Sequence, residues 1–182
     1  MNLCHQESRS ILGETSPQRA DVAASIHGTG SLQTHLDQKT RVLVVEDNSF
    51  VRAGIVRLIN RQSNLTCCGE ADSIASAPLV MAEKKPNLVL LDLRLKDGDS
   101  FELIGKLKQQ SPCTPILVVS QGEEALYAER VLRAGADGYI MKQEVAGELL
   151  AAIRTVLQRK IYVSRSMTER LPPELHTARG IS

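Results

Sequence analysis

The amino-acid sequence predicts an α/β domain in which a doubly wound parallel sheet lies between two layers of helices, and three observations predict it. Short all-apolar runs recur at VLVV (42–45), LVLL (88–91), ILVV (116–119) and YIM (139–141), with a weaker run at 65–69. Runs without alternation suit strands covered on both faces, as in a parallel sheet. Segments of helical periodicity separate the runs, so five βα units follow one another from Arg41 to Leu157. Finally, polar residues stand directly after the apolar runs, at the strand ends where an open α/β sheet builds its ligand site.

Each element has a local reason. Asn48 is a suitable N-cap for a helix over 49–60, which places Val51, Ile55, Leu58 and Ile59 on one stripe. Residues 99–109 place Phe101, Ile104 and Leu107 on another. A helix over 122–134 ends at Gly135, a residue suited to a C-cap. The last helix, 144–158, carries Val145, Leu149, Ile153 and Val156 on one face. All of these stripes are expected to pack on the sheet, giving a three-layer (βα)5 sandwich.

Composition narrows the function. The chain has 182 residues, no Trp, two Phe, three Tyr and 22 Lys+Arg against 21 Asp+Glu, a formal net charge of +1. One domain is expected, with neither the basic face nor the stacking side chains of a nucleic-acid surface. The apolar runs are far shorter than the roughly 20 residues that span a bilayer, so no membrane partner is expected. The N-terminus does not read as a secretory signal, which makes the cytoplasm the expected compartment.

Residues 1–40 hold three of the four histidines and no sustained period, and are expected to form a disordered arm. Gly28, Thr29 and Gly30 within it lack the preceding strand a dinucleotide site needs. The domain is expected over 41–163, and 164–182, with Pro172 and Pro173, reads as a disordered tail. Cysteines 4, 67, 68 and 113 match no CxxC or finger spacing and are expected to be reduced thiols.

The strand ends carry the chemistry. The first run exits into Glu46 and Asp47, the third strand into Asp92, the fourth into Ser120 and the fifth into Lys142. The topology brings these three carboxylates, one hydroxyl and one ammonium to one edge of the sheet. Clustered carboxylates repel one another unless a cation is present, and a hard divalent ion such as Mg²⁺ answers that need. Such a site suits phosphoryl chemistry, with Lys142 pairing first with a carboxylate and later with a phosphoryl oxygen, and Ser120 donating to the same group. A carboxylate is itself a competent nucleophile, giving an aspartyl phosphate.

The motifs VLVVEDN (42–48), LVLLDLRL (88–95), ILVVS (116–120) and AGADGYIMK (134–142) closely resemble the receiver domain of two-component response regulators. The resemblance implies a CheY-like (flavodoxin-like) sheet of order 2-1-3-4-5. It implies that Asp92 accepts a phosphoryl group from a phosphohistidine on a sensor histidine kinase or phosphotransfer protein. Glu46 and Asp47 are the implied acidic pair for Mg²⁺, with Asp47, Asp92 and the backbone carbonyl of Arg94 as direct ligands. Ser120 and Lys142 are the implied phosphoryl-sensing pair, and Tyr139 holds the aromatic switch position. The expected activity is self-catalysed phosphotransfer and slow autodephosphorylation, without the turnover of an enzyme.

Segment 147–164 further resembles the end of receivers in the NarL/FixJ subfamily, whose members usually carry a LuxR-type helix-turn-helix. The residues that follow are too few for that effector, which leaves a stand-alone receiver, a fragment or a degenerated descendant open. Three positions depart from the family pattern: Lys96 replaces a common proline, Gln121 a small residue and Gln143 a proline.

Phosphorylation is expected to pull Ser120 and Lys142 toward Asp92 and to let Tyr139 move inward. That motion would alter a face of the fourth helix, fifth strand and fifth helix, including Glu124, Tyr127 and Arg130, for a dimer partner or an effector protein. Competing readings are fewer. A haloacid-dehalogenase-like phosphatase needs a second aspartate where Arg94 stands, and the chain has no GxxxxGK[ST] loop for a nucleotide. A phosphorylation-independent interaction module and a truncated DNA-binding regulator are the remaining alternatives.

Overall fold

The computed structural model describes residues 39–172 together with 174 and 175, so expectations for the N-terminal arm lie outside the described residues. Five parallel strands form one sheet: β1 (Thr40–Val45), β2 (Leu65–Ala71), β3 (Leu88–Leu91), β4 (Ile116–Ser120) and β5 (Gly138–Met141). Their order is β2-β1-β3-β4-β5. β3 and β4 are buried along their whole length, which explains why their sequences are apolar without alternation. β2 occupies an edge, is only half-buried over Thr66–Gly69, and shifts register against β1 between Val42 and Leu43.

Alternate residues of the strands feed two separate cores. Leu43, Val45, Val89, Leu91, Ile116 and Val118 face α2 (Ser76–Lys84), α3 (Ser100–Gln110) and α4 (Glu124–Arg133). Val42, Val44, Leu88, Leu90, Leu117 and Val119 face α1 (Ser49–Asn60) and α5 (Val145–Leu157). This is the doubly wound arrangement, and its register fixes the site. Val45 pairs with Leu91 and Leu91 with Val118, so Glu46 and Asp92 leave the sheet side by side.

Helix ends follow from side-chain chemistry. The Asn48 side chain accepts from the N–H groups of Phe50 and Val51 and starts α1 immediately after Asp47. The Asp99 side chain does the same for α3 through Phe101 N–H. Gly135, at φ +110°, closes α4: its N–H donates to Leu132 O, and Ala136 N–H donates to Val131 O. α4 begins at Glu124, two residues later than its sequence periodicity predicts, and the Gly122 N–H ahead of it is held by the Ser120 hydroxyl. At the opposite edge of the sheet, Asp137 accepts from Lys108 Nζ at 2.6 Å and from Ile116 N–H at 2.8 Å, a buried ion pair that anchors α3 to β4 and β5.

Residues 164–172 depart from the expectation of a tail without structure, and the rest of that tail lies largely outside the described residues. Tyr162 bridges to Gly138 at the outer edge of β5, and a short helix α6 (Arg165–Thr168) follows, capped by the Ser164 side chain. Met167 and Leu171 are buried in the same core as Ala128, Val131 and Leu132 of α4. The departure has a physical reason: Ile161, Val163, Met167 and Leu171 supply enough apolar surface to dock before the prolines intervene. Of the cysteines expected to be reduced thiols, Cys67 and Cys68 are free. No helix among the described residues is long and apolar enough to cross a membrane.

Candidate functional site

The carboxyl ends of β1, β3, β4 and β5 converge as the sequence predicts. Glu46 and Asp92 are 1% and 3% exposed, each fixed by its backbone: Asp92 N–H donates to Val45 O and Glu46 N–H to Ala71 O. Lys142, just past β5, places Nζ 2.9 Å from Asp92 Oδ2 and 2.6 Å from Glu46 Oε2. The first contact is a directed hydrogen bond and the second an ion-pair contact. Glu46 Oε1 accepts from Asn48 N–H at 3.2 Å, which ties the acidic pair to the start of α1. Arg94 lies two residues past Asp92 in the β3–α3 loop with its side chain exposed.

Burial and charge compete here. Burial raises the Glu46 carboxyl above its ordinary value, the Lys142 ammonium against it opposes that rise, and the Asp92 charge adds to it. For Lys142 burial acts downward, but the hydrogen bonds and charges of Glu46 and Asp92 prevail and hold its ammonium above the usual range. One ammonium thus bridges two buried carboxylates.

Ser120 is buried at the end of β4, its hydroxyl accepting from Gly122 N–H at 3.2 Å. Tyr139 is fully buried, and its hydroxyl donates to Gly122 O at 2.6 Å. Burial pushes the Tyr139 phenol up, opposed by the adjacent Ser120 hydroxyl. The expected inward motion of Tyr139 therefore needs correction. The ring already occupies the inward position, because the Gly122 carbonyl satisfies its hydroxyl and the core of α2, α3 and α4 receives its body.

A second correction applies to the expected output face. Glu124 is buried, with Oε1 accepting from Ser164 N–H at 2.7 Å, whereas Arg130 is exposed and stacks 4.3 Å from the Phe101 ring centroid. Nothing local in the sequence signals a contact between residues forty positions apart. Sequence reading also misses the Gly122–Tyr127 contact: a Cβ at Gly122 would lie 2.6 Å from the Tyr127 ring.

The donor set fits a hard divalent cation. Carboxylate oxygens of Glu46, Asp47 and Asp92 lie within 4.8 Å of one another. The buried Asp92 Oδ1 has no hydrogen-bond partner. An unsatisfied buried carboxylate oxygen among other hard oxygen donors is what Mg²⁺ coordination requires. Asp47 itself, 12% exposed, pairs with Lys96 Nζ at 3.4 Å.

Comparison with known proteins places this geometry. The family described as the response regulator receiver domain matches residues 42–154. The chain is 34% identical over 131 residues to the response regulator GacA of Pseudomonas protegens, a match covering 72% of this chain and 62% of that protein. It is 30% identical over 135 residues to the oxygen regulatory protein NreC of Staphylococcus epidermidis, covering 74% and 62% respectively. The chain thus spans less than two thirds of these curated relatives. Among solved structures, a LuxR-family two-component response regulator from Aurantimonas sp. SI85-9A1 matches with a TM-score of 0.69 at 27% identity, covering 75% of this chain and 98% of that one.

Proposed function

Because the chain belongs to the response regulator receiver-domain family, we propose that it accepts a phosphoryl group on Asp92 from a phosphohistidine of a sensor kinase or phosphotransfer protein. The observation that carries this reading is Asp92 itself. One of its oxygens is held by Lys142, and the other is buried beside two further carboxylates without a partner of its own.

In this reading the free Oδ1 attacks phosphorus in line with the donor's P–N bond. The new P–O bond forms on Asp92 as the imidazole nitrogen leaves with the electron pair of the broken bond. Lys142 holds Asp92 through Oδ2, which leaves Oδ1 for attack, and then follows the charge onto a phosphoryl oxygen. Ser120 accepts from Gly122 N–H and so keeps its own hydroxyl proton for the incoming group. When bound through Asp47, Asp92 and the Arg94 carbonyl, with Glu46 behind them, Mg²⁺ would offset the carboxylate repulsion and the charge that develops on the phosphoryl oxygens.

The phosphorylated side chain carries about −1.5 to −2 charge, and the response passes through groups already in contact. A Ser120 hydroxyl drawn to the phosphoryl group changes its hold on Gly122, whose carbonyl binds Tyr139 and whose loop leads into α4. The proposed output is the face of α4, β5 and α5, where Leu126 is 66% exposed, read by a second copy or an effector protein. The proposed compartment is the cytoplasm, and the reading assigns this chain no nucleic-acid contact of its own.

Intact-protein mass spectrometry after incubation with acetyl phosphate and Mg²⁺ tests the reading. One phosphoryl adduct is expected, lost with EDTA and lost in Asp92→Asn. A folded protein that takes up no phosphoryl group would instead favour a phosphorylation-independent interaction module.

A further inference from the structure

The three carboxylates of the site meet two ammonium groups, and the two are placed differently. Lys142 is largely shielded, with its side chain 14% exposed, and bridges Glu46 and Asp92. Lys96 approaches from solvent, with its side chain 85% exposed, and its Nζ lies 3.4 Å from Asp47 Oδ2. No other hydrogen bond or ion pair reaches the Asp47 carboxylate among the described residues.

The loop presents Lys96 in a defined way. On one side Leu95 is buried in the core. On the other, the Asp97 carboxylate accepts from the N–H groups of Ile74 at 2.9 Å and Ala75 at 3.3 Å, just ahead of α2. Gly98, at φ +151°, then lets the chain turn into Asp99, which caps α3. The backbone at Lys96 is held from both sides, so pairing with Asp47 costs mainly the freedom of one side chain.

From this arrangement we infer that Lys96 is a tethered cation competing with the divalent ion for Asp47, so that the β3–α3 loop sets how tightly the domain holds Mg²⁺. The inference rests on the reading of Glu46, Asp47 and Asp92 as the metal site. A metal ion and an ammonium on the same carboxylate repel each other, so metal binding must displace Lys96 or bear that repulsion. The pair lies at the solvent boundary, where such contacts are weak and screened by salt, so the effect is a modest factor in affinity.

Calorimetric titration of the full chain with MgCl₂, in the absence of any phosphodonor, tests the inference on wild type, Lys96→Met and Lys96→Arg. Amide NMR shifts at Asp47 and Asp92 report where the ion binds. Lys96→Met keeps the aliphatic stem and removes the charge, and is expected to bind Mg²⁺ about two- to fivefold more tightly at low salt. Lys96→Arg is expected to stay close to wild type. The gap should shrink in about 0.5 M KCl, where screening lengths fall to a few ångström. Equal or weaker binding by Lys96→Met, or equally tightened binding by Lys96→Arg, would overturn the inference alone. Absence of binding in all three, with the Asp47 and Asp92 amides unmoved, would overturn the metal reading and this inference with it.

Discussion

The phenol hydroxyl of Tyr139 donates to the carbonyl oxygen of Gly122 across 2.6 Å, tying β5 to the loop that runs from β4 into α4. The N–H of the same Gly122 is held by the Ser120 hydroxyl. One glycine therefore links the Ser120 hydroxyl to the Tyr139 ring. Two hydrogen bonds in series thus join Ser120 to Tyr139.

A side chain at Gly122 would have to displace its neighbours. A Cβ would stand 2.6 Å from two carbons of the Tyr127 ring and 3.3 Å from the Tyr139 hydroxyl. Gly122→Ala is therefore expected to cost about 1–3 kcal/mol in urea unfolding, because the Tyr127 ring must leave its place. The double variant Gly122→Ala, Tyr127→Ala should lose less than the sum of the two single changes. Strict additivity in that cycle would show that the ring is not the obstacle.

Lys142 neutralises two buried carboxylates at once, which makes it costly to remove. Lys142→Met leaves Glu46 and Asp92 without their ammonium, and about 3–5 kcal/mol of stability should be lost at neutral pH. Added Mg²⁺ is expected to raise the melting temperature of this variant more than that of wild type, since the ion then supplies the missing positive charge. Equal shifts for the two proteins would argue that the ion does not bind among these carboxylates.

How much of this was legible before the structure depends on how local the cause is. β3 and β4 could be read from their residues because strands covered on both faces are apolar throughout. β2 read weakly because Cys67, Cys68 and Gly69 sit half-buried at an edge. No stripe marks α2, which buries only Ala77 and Met81. Glu46, Asp47, Asp92, Ser120 and Lys142 could be gathered in advance because each ends or follows a strand and parallel strands end together. The inward place of Tyr139 and the burial of Glu124 under Ser164 depend on contacts between distant segments, for which the local pattern carries no signal.

Tyr162 gives the docked C-terminal segment a pH signature. Its backbone bridges to Gly138, and its hydroxyl donates to Glu148 Oε2 at 3.2 Å. Burial first, and then the Glu148 charge and hydrogen bond, push the phenol up to about 12 from its ordinary 10. The folded protein holds this proton more tightly than the unfolded chain does. The resulting stability is fully present below the ordinary value and is lost as pH rises through the folded one. Tyr162→Phe is expected to be less stable than wild type by about 0.5–1 kcal/mol at pH 8, the worth of one solvent-exposed hydrogen bond. Urea unfolding at a series of rising alkaline pH values should show that gap closing. A gap that stays constant or widens would mean that the Tyr162 hydroxyl is not held by Glu148.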